Sequence, residues 1–335
     1  MARFILNRGK VLEQYNTLRK VADIVGYNLK ANKEVGKIIE KETKAPLVVS
    51  SEMGVNEVEN KSRIIYIMQG DNEEFLRNAI KSGINSFIVD NENDMKRLLS
   101  LEEEINLFLR MKVREHTIYT GKYYVYGIHW QRVQELLPNL KKNRNIKTLG
   151  IHFHRKTQNI GEWFLKEEFL DVLTEDVISS IDLINIGGGI PVEYANSKPN
   201  IEAILSKISE FKDFLHEIGL KLAIEPGRFI SAPPIKLETN VINSYEDRLI
   251  LDCSVYNTSI DIILMNVKLL VEGEKNDGYK YLIKGCSPDS LDIFRYKVFF
   301  DNEKRIGDKI TFLNAGAYNF HTEFNNLPRI KTIII

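Results

Sequence analysis

The residues of this chain best equipped for chemistry stand where short apolar runs end. Lys30 follows Val25 to Leu29 and precedes the turn-prone Ala31-Asn32. His152 and His154 flank Phe153, three glycines (Gly187, Gly188, Gly189) follow Leu183 to Ile186, and Glu225-Pro226-Gly227-Arg228 follows Leu222 to Ile224. Asp90 ends one further run and Arg110 lies late in another, Ile105–Met111. A lysine at a strand tip is a candidate reacting amine, because barrel enzymes keep their chemistry at the strand C-termini. Three glycines let backbone N–H groups close around a phosphate, and an arginine one strand later adds charge. His152 and His154 point to one strand face, which allows either a metal pair or a packed and stacked ring. With neither a cysteine nor a third histidine near at ligand spacing, no metal is expected.

Eight apolar runs would position these groups: Gly26–Leu29, Pro46–Ser50, Ile64–Met68, Ser86–Asp90, Ile105–Met111, Leu149–Phe153, Leu183–Ile186 and Leu222–Ile224. Helix-compatible segments such as 72–82, 91–101, 130–142 and 201–218 lie between them. Strands alternating with helices predict an α/β chain folded as a (β/α)8 TIM-type barrel, here residues 10–234. Beyond Pro233-Pro234 the runs become short and strand-like, which predicts an all-β C-terminal domain over 235–335. The N-terminal strand in residues 1–9 is expected to join it. Asn276-Asp277-Gly278 predicts a hairpin between Leu269–Glu272 and Tyr279–Ile283. The tail Ile330–Ile335 needs a partner strand.

Lysine plus arginine and aspartate plus glutamate each total 46, giving a net charge of +0, and 43% of residues are hydrophobic. That excludes the electrostatic footprint of a nucleic-acid or anionic-membrane binder. With no spanning run or signal-peptide core, a cytoplasmic protein is expected. Cys253 and Cys286 are expected as thiols.

Motifs in order across nearly the whole chain resemble the pyridoxal-phosphate decarboxylases of ornithine, diaminopimelate and arginine, the alanine-racemase-like fold type III. Tyr27-Asn28-Leu29-Lys30-Ala31-Asn32 is similar to that family's Tyr-Ala-Val-Lys-Ala-Asn, and Gly150-Ile151-His152-Phe153-His154 to its Gly-Ile-His-Cys-His. Gly187-Gly188-Gly189-Ile190-Pro191 resembles its phosphate loop, while Glu225-Pro226-Gly227-Arg228 and Gly316-Ala317-Tyr318 are identical to its Glu-Pro-Gly-Arg and Gly-Ala-Tyr. The resemblance implies pyridoxal 5'-phosphate as cofactor, with Lys30 as its Schiff-base lysine, His154 stacked on the pyridine ring, Glu225 facing the ring nitrogen, Thr157 and Arg110 among the contacts, and Gly187 to Gly189, Arg228 and Tyr318 on the phosphate. A decarboxylase of amino-acid or polyamine metabolism is implied, working as a homodimer with shared active sites between barrel and β-domain.

The family's acid is a cysteine before the acidic residue of Cys-Asp/Glu-x-x-Asp. Here Pro288 takes that place in Gly285-Cys286-Ser287-Pro288-Asp289-Ser290-Leu291-Asp292, and Cys286 lies two residues early. Cys286, Lys30 or water is then left to return the proton. Asp289, with Tyr256, matches the position that meets a substrate's distal amine and favours ornithine, lysine, diaminopimelate or a carboxynorspermidine-like molecule. The stretch from Tyr256 to Met265 lacks both the ornithine enzymes' Tyr-Asp pair and the diaminopimelate enzymes' arginine; Asp261 in it either compensates for that loss or, as the preferred reading, is an ordinary surface aspartate. The rivals are a racemase on the same barrel, which Glu225 opposes, and a silent binding homologue, which Pro288 supports.

Overall fold

The computed structural model describes residues 1–112, 126–161, 163–170 and 172–335. Internal contacts divide the chain into two compact units. One comprises Met1–Gln14, Pro191–Pro199 and Arg228–Ile335, the other Tyr15–Ile190 and Asn200–Gly227.

Strand β1 (Arg3–Leu6) belongs to the first unit. The second unit is the barrel, and its strands follow in order: β2 (Ile24–Val25), β3 (Tyr27–Asn28), β4 (Leu47–Val49), β5 (Ile64–Ile67), β6 (Ser86–Val89), β7 (Ile105–Lys112), β8 (Ile128–His129), β9 (Ile146–His152), β10 (Leu183–Asn185) and β11 (Lys221–Ile224). All pairings are parallel, in the order β2-β11-β10-β9-β7-β6-β5-β4-β3, with β8 added on β7. The two ends of this order, β2 and β3, are halves of one strand interrupted at Gly26. Its first half pairs with β11 (Ile24 opposite Ala223) and its second with β4 (Tyr27 opposite Leu47). Between the halves Gly26 N–H bonds Ile224 O at 2.8 Å and Tyr27 N–H bonds Pro46 O at 2.9 Å. Eight strand positions therefore close on themselves, as the eight apolar runs predict.

The closing seam carries its own latch. Asp23 accepts Leu222 N–H at 2.8 Å through its carboxylate, and its backbone N–H returns a bond to Leu222 O at 3.0 Å. His216 holds the same carboxylate at 3.0 Å. Inside, Ile88, Phe108, Leu183 and Ala223 form a buried cluster packed by Ile24, Ile65 and Ile67, drawn from six strands. Such burial from both faces makes parallel strands read as continuous apolar runs.

Several helices begin at a polar cap. Asn32, Asn72, Asn91 and Asn200 accept backbone N–H groups at the starts of Lys33–Glu42, Glu73–Lys81, Glu92–Leu99 and Ile201–Glu217. Each satisfies donors that the first helical turn leaves without a carbonyl.

The first unit is built on β12 (Ile235–Tyr245), which pairs antiparallel with β1 (Phe4 opposite Leu237). Beyond it lie β13 (Arg248–Leu251), β14 (Leu270–Val271), β15 (Tyr279–Lys284), β16 (Ile293–Phe300), β17 (Lys309–Leu313) and β18 (Lys331–Ile334). Past a bulge at Val241/Asn243, β12 pairs with β13, while β17 lies against Leu237–Asn240. The tail strand β18 runs parallel to β1. Phe294 and Phe312 stack at 4.8 Å in the core of this unit.

The hairpin expected at Asn276-Asp277-Gly278 does not form. β14 pairs with β17, whereas β15 pairs with β16 from Tyr279/Phe300 to Lys284/Ile293. A turn is present, with Gly278 at φ +112 and its α-carbon so close to β16 that a Cβ would meet Phe300 O at 2.5 Å. A two-residue strand offers β15 few ladder bonds, and the eight-residue β16 offers many.

Candidate active site

In the barrel unit, the chain leaves β3 through a single turn of 3-10 helix, Leu29–Ala31, in which Leu29 and Ala31 are buried and Lys30 is exposed. Tyr27 Oη donates to Asn32 O at 2.8 Å and fixes the turn from below. Dense protein around the Lys30 amine lowers its pKa, and Arg110 lowers it further, while Glu225 works in the opposite sense. More of it is therefore the free, nucleophilic amine at a given pH. Arg110, on β7, pairs with Asp90 beyond β6 at 3.3 Å and lies 4.8 Å over the Tyr126 ring.

Glu225, just beyond β11, is almost wholly buried at 1% exposure. Its Oε1 accepts Asn185 Nδ2–H at 2.6 Å and its Oε2 lies 3.3 Å from His152 Nε2. Among the described residues the other ring nitrogen of His152, Nδ1, has no hydrogen-bond partner. Asn185 works at both ends of its amide, because its Oδ1 accepts Gly187 N–H at 2.9 Å and so ties the glycine turn to the carboxylate. His152 is thus a ring packed against Glu225, and among the described residues no cluster of three histidine, cysteine or acidic side chains could hold a metal.

Gly187 at φ +65 is required by its surroundings, since a Cβ there would sit 2.7 Å from both His154 Nδ1 and Phe153 O. Gly188 N–H reaches His154 Nδ1 at 3.3 Å. The two histidine rings stack at 6.4 Å with 15° between planes. Burial first, then His152, Lys30 and Arg110, hold the His154 pKa well below its ordinary value, so the ring is neutral. Thr157 stands in the turn after β9, half-buried.

In the other unit, Arg228 opens a short helix, Arg228–Ser231, and is buried. Its Nη1 donates to Tyr194 Oη at 2.8 Å and to Asp261 Oδ2 at 2.6 Å, and its guanidinium lies 5.6 Å from the Tyr194 ring and 5.0 Å from the Tyr318 ring. Asp261 is accordingly no surface aspartate: it is 5% exposed because the arginine compensates its charge. Tyr256 Oη donates to Asp289 Oδ1 at 2.8 Å, and its ring stacks on Phe324 at 4.0 Å. Burial and then Asp289 push the Tyr256 hydroxyl up to about 12.

The loop carrying Cys286 and Asp289 hangs on Asp292, which is fully buried. Asp292 accepts Val255 N–H and Ser287 N–H, each at 2.9 Å, and closes the loop through Gly285 N–H to its own carbonyl at 2.9 Å. Pro288 is exposed. Cys286 is half-buried, and burial followed by Asp292 pushes its thiol up, so it keeps its proton.

The barrel unit thus assembles Lys30, Arg110, His154, Gly187, Gly188, Gly189 and Glu225. The other gathers Arg228 with Tyr318, and Tyr256 with Asp289. The supporting residues Asn185, Tyr194, Asp261 and Asp292 escape sequence reasoning. Only Asn185 gives a signal, as a polar residue interrupting an apolar run two positions before a glycine turn.

The donor set suits a phosphorylated aldehyde cofactor: an amine of lowered pKa, a buried carboxylate, a neutral stacking ring and a glycine turn with no room for side chains. Residues 29–232 match the family model described as the pyridoxal-binding domain of pyridoxal-dependent decarboxylases. The chain is 24% identical over 310 residues to the diaminopimelate decarboxylase of Methanothermobacter thermautotrophicus, covering 82% of this chain and 69% of that protein. It is 23% identical to the ornithine decarboxylase of Candida albicans, covering 98% and 82%. Among solved structures, the lysine/ornithine decarboxylase of Vibrio vulnificus complexed with putrescine matches with a TM-score of 0.83 at 22% identity, covering 100% of this chain and 94% of that one. That likeness extends the shared fold to the β-unit. Carrying the pyridoxal-binding domain over residues 29–232, the chain belongs to the pyridoxal-dependent decarboxylases, whose cofactor is pyridoxal 5'-phosphate.

Proposed function

We propose that this enzyme removes CO2 from an amino acid with a second amino group, of the ornithine, lysine, diaminopimelate or carboxynorspermidine-like class. The observation that carries the substrate class is Asp289, a carboxylate with one oxygen engaged by Tyr256 Oη and Leu291 N–H. Held in this way, it is oriented to meet a substrate ammonium. The similar proteins named above act on ornithine, lysine or diaminopimelate by name, and all three are diamino acids.

When bound, pyridoxal 5'-phosphate supplies a conjugated ring that accepts the electron pair left at the substrate α-carbon. In this reading, Lys30 provides the amine that anchors the cofactor and exchanges for substrate. Glu225 would face the ring nitrogen, where its carboxyl group, fixed by Asn185 and His152, would hold a proton on that atom. His154 gives the ring a flat neutral surface. Gly187, Gly188 and Gly189 in the barrel unit would contact the phosphate, Arg228 and Tyr318 of the other unit are proposed as phosphate contacts in their own right, and Thr157 and Arg110 would be further cofactor contacts. Cys286 keeps its proton and is the candidate to return it to the α-carbon. The working state is a cytoplasmic homodimer with shared active sites; no helix among the described residues is long and apolar enough to cross a membrane.

The test is CO2 release from a panel of basic amino acids and carboxylated polyamines, recorded beside the visible band of lysine-bound cofactor. Release from one member, abolished together with the band by Lys30→Ala, is expected. A band with no CO2 from any member would refute the decarboxylation of this class, and a band surviving in Lys30→Ala would refute the lysine assignment.

A further inference from the structure

Asp261 lies in the stretch that departs from both the ornithine and the diaminopimelate patterns, yet it makes one of the most buried ion pairs in its unit. Arg228 and Asp261 are 3% and 5% exposed, and their atoms meet at 2.6 Å. The same Nη1 also donates to Tyr194 Oη at 2.8 Å. The aromatic faces of Tyr194 and Tyr318 flank the guanidinium. An arginine buried this far is costly without a counter-charge.

We propose that Asp261 is a positioning residue that acts as the resident counter-anion of Arg228, so that an incoming phosphate shares the guanidinium with a carboxylate. This rests on the assignment of Arg228 to the cofactor phosphate. Before phosphate arrives the pair is neutral. Afterwards one cation faces two anions, and the carboxylate repels the newcomer through a medium that screens poorly. Asp261 therefore stabilises the cofactor-free chain and weakens its hold on phosphate, and by thermodynamic reciprocity bound phosphate lowers Asp261's stabilising contribution by the same amount that Asp261 weakens phosphate binding. A protein so built tolerates loss of its cofactor and exchanges it readily.

The experiment uses the cofactor-free full chain and Asp261→Asn, whose amide oxygen still accepts from Nη1 but carries no charge. Inorganic phosphate is titrated by thermal shift, and pyridoxal 5'-phosphate and pyridoxal by their absorption. Asp261→Asn should bind both phosphate ligands about tenfold more tightly and pyridoxal no differently, as expected for removal of one nearby like charge. Asp261→Glu, which restores the charge, should return towards wild type. Equal or weaker phosphate binding by Asp261→Asn overturns the proposal. Arg228→Gln separates this from the underlying assignment: if it leaves phosphate discrimination intact, Arg228 is no phosphate ligand and both ideas fall. If it abolishes discrimination while Asp261→Asn gains nothing, only the counter-anion idea falls. Should Asp261→Asn fold only with phosphate present, the proposal is supported; failure to fold even then overturns it.

Discussion

Replacing Gly187 with alanine tests whether the glycine turn is shaped by its neighbours or merely tolerates them. Two costs combine at this position. At φ +65 an L-residue loses roughly 1–2 kcal/mol against its preferred backbone. The added Cβ also meets Phe153 O and His154 Nδ1 at 2.7 Å. The first is backbone leaving β9 and the second is a ring stacked on His152, so neither yields freely. Crowding of that kind costs about 1–3 kcal/mol. Gly187→Ala should therefore destabilise the protein by about 2–5 kcal/mol. Gly70 supplies the control: its φ is +82, but a Cβ there would meet nothing within 4 Å. Gly70→Ala should cost only the backbone share, about 1–2 kcal/mol. The assay is urea unfolding of both variants and wild type, with unfolding slopes compared to confirm a common mechanism. A Gly187→Ala loss no larger than that of Gly70→Ala would refute the steric argument.

Two further outcomes follow from the electrostatics. Arg110 lowers the Lys30 pKa, so Arg110→Gln should raise it and move the pH midpoint of cofactor attachment upward, because attachment needs the unprotonated amine; spectrophotometric loading from about pH 6 to about 10 checks this, and an unchanged or lower midpoint contradicts it. Tyr256→Phe removes the 2.8 Å hydrogen bond to Asp289, and a bond to a charged acceptor contributes about 1.5–3 kcal/mol, so KM for a diamino acid should rise about tenfold or more with kcat changed less. A fall in kcat at constant KM would place Asp289 in another role.

The barrel was legible because parallel strands buried on both faces betray themselves as apolar runs, and the candidate chemistry stood directly after them. Lys30, the glycine turn and Glu225 stood out by following those runs, whereas the roles proposed for them toward a cofactor came only from the family resemblance. The hairpin at Asn276-Asp277-Gly278 failed because local turn chemistry cannot say that a distant β16 offers β15 a longer ladder. Asp261, Asn185 and Asp292 were hidden for a related reason. Each acts by pairing with a group tens of residues away in the chain or by organising a loop, and a polar residue's burial depends on that partner, which no local spacing reveals. Asp261 shows the error at its largest, since one arginine 33 residues away converts an apparent surface charge into a core ion pair.

The strand that carries Lys30 is also the seam of the barrel, and this orders events in time. Its first half finds β11 across a separation of 199 residues, the interval bridged by Leu222 N–H and Asp23. Contacts of such range form late, after the cost of closing a long loop has been met. Arg110 and Glu225, which tune the lysine, are likewise supplied by strands made long after it. A ribosome-bound fragment ending before β11 lacks both Glu225 and the strand pairing that closes the seam beside Lys30. The reactive amine is thus a product of completed folding, and it reports ring closure from within.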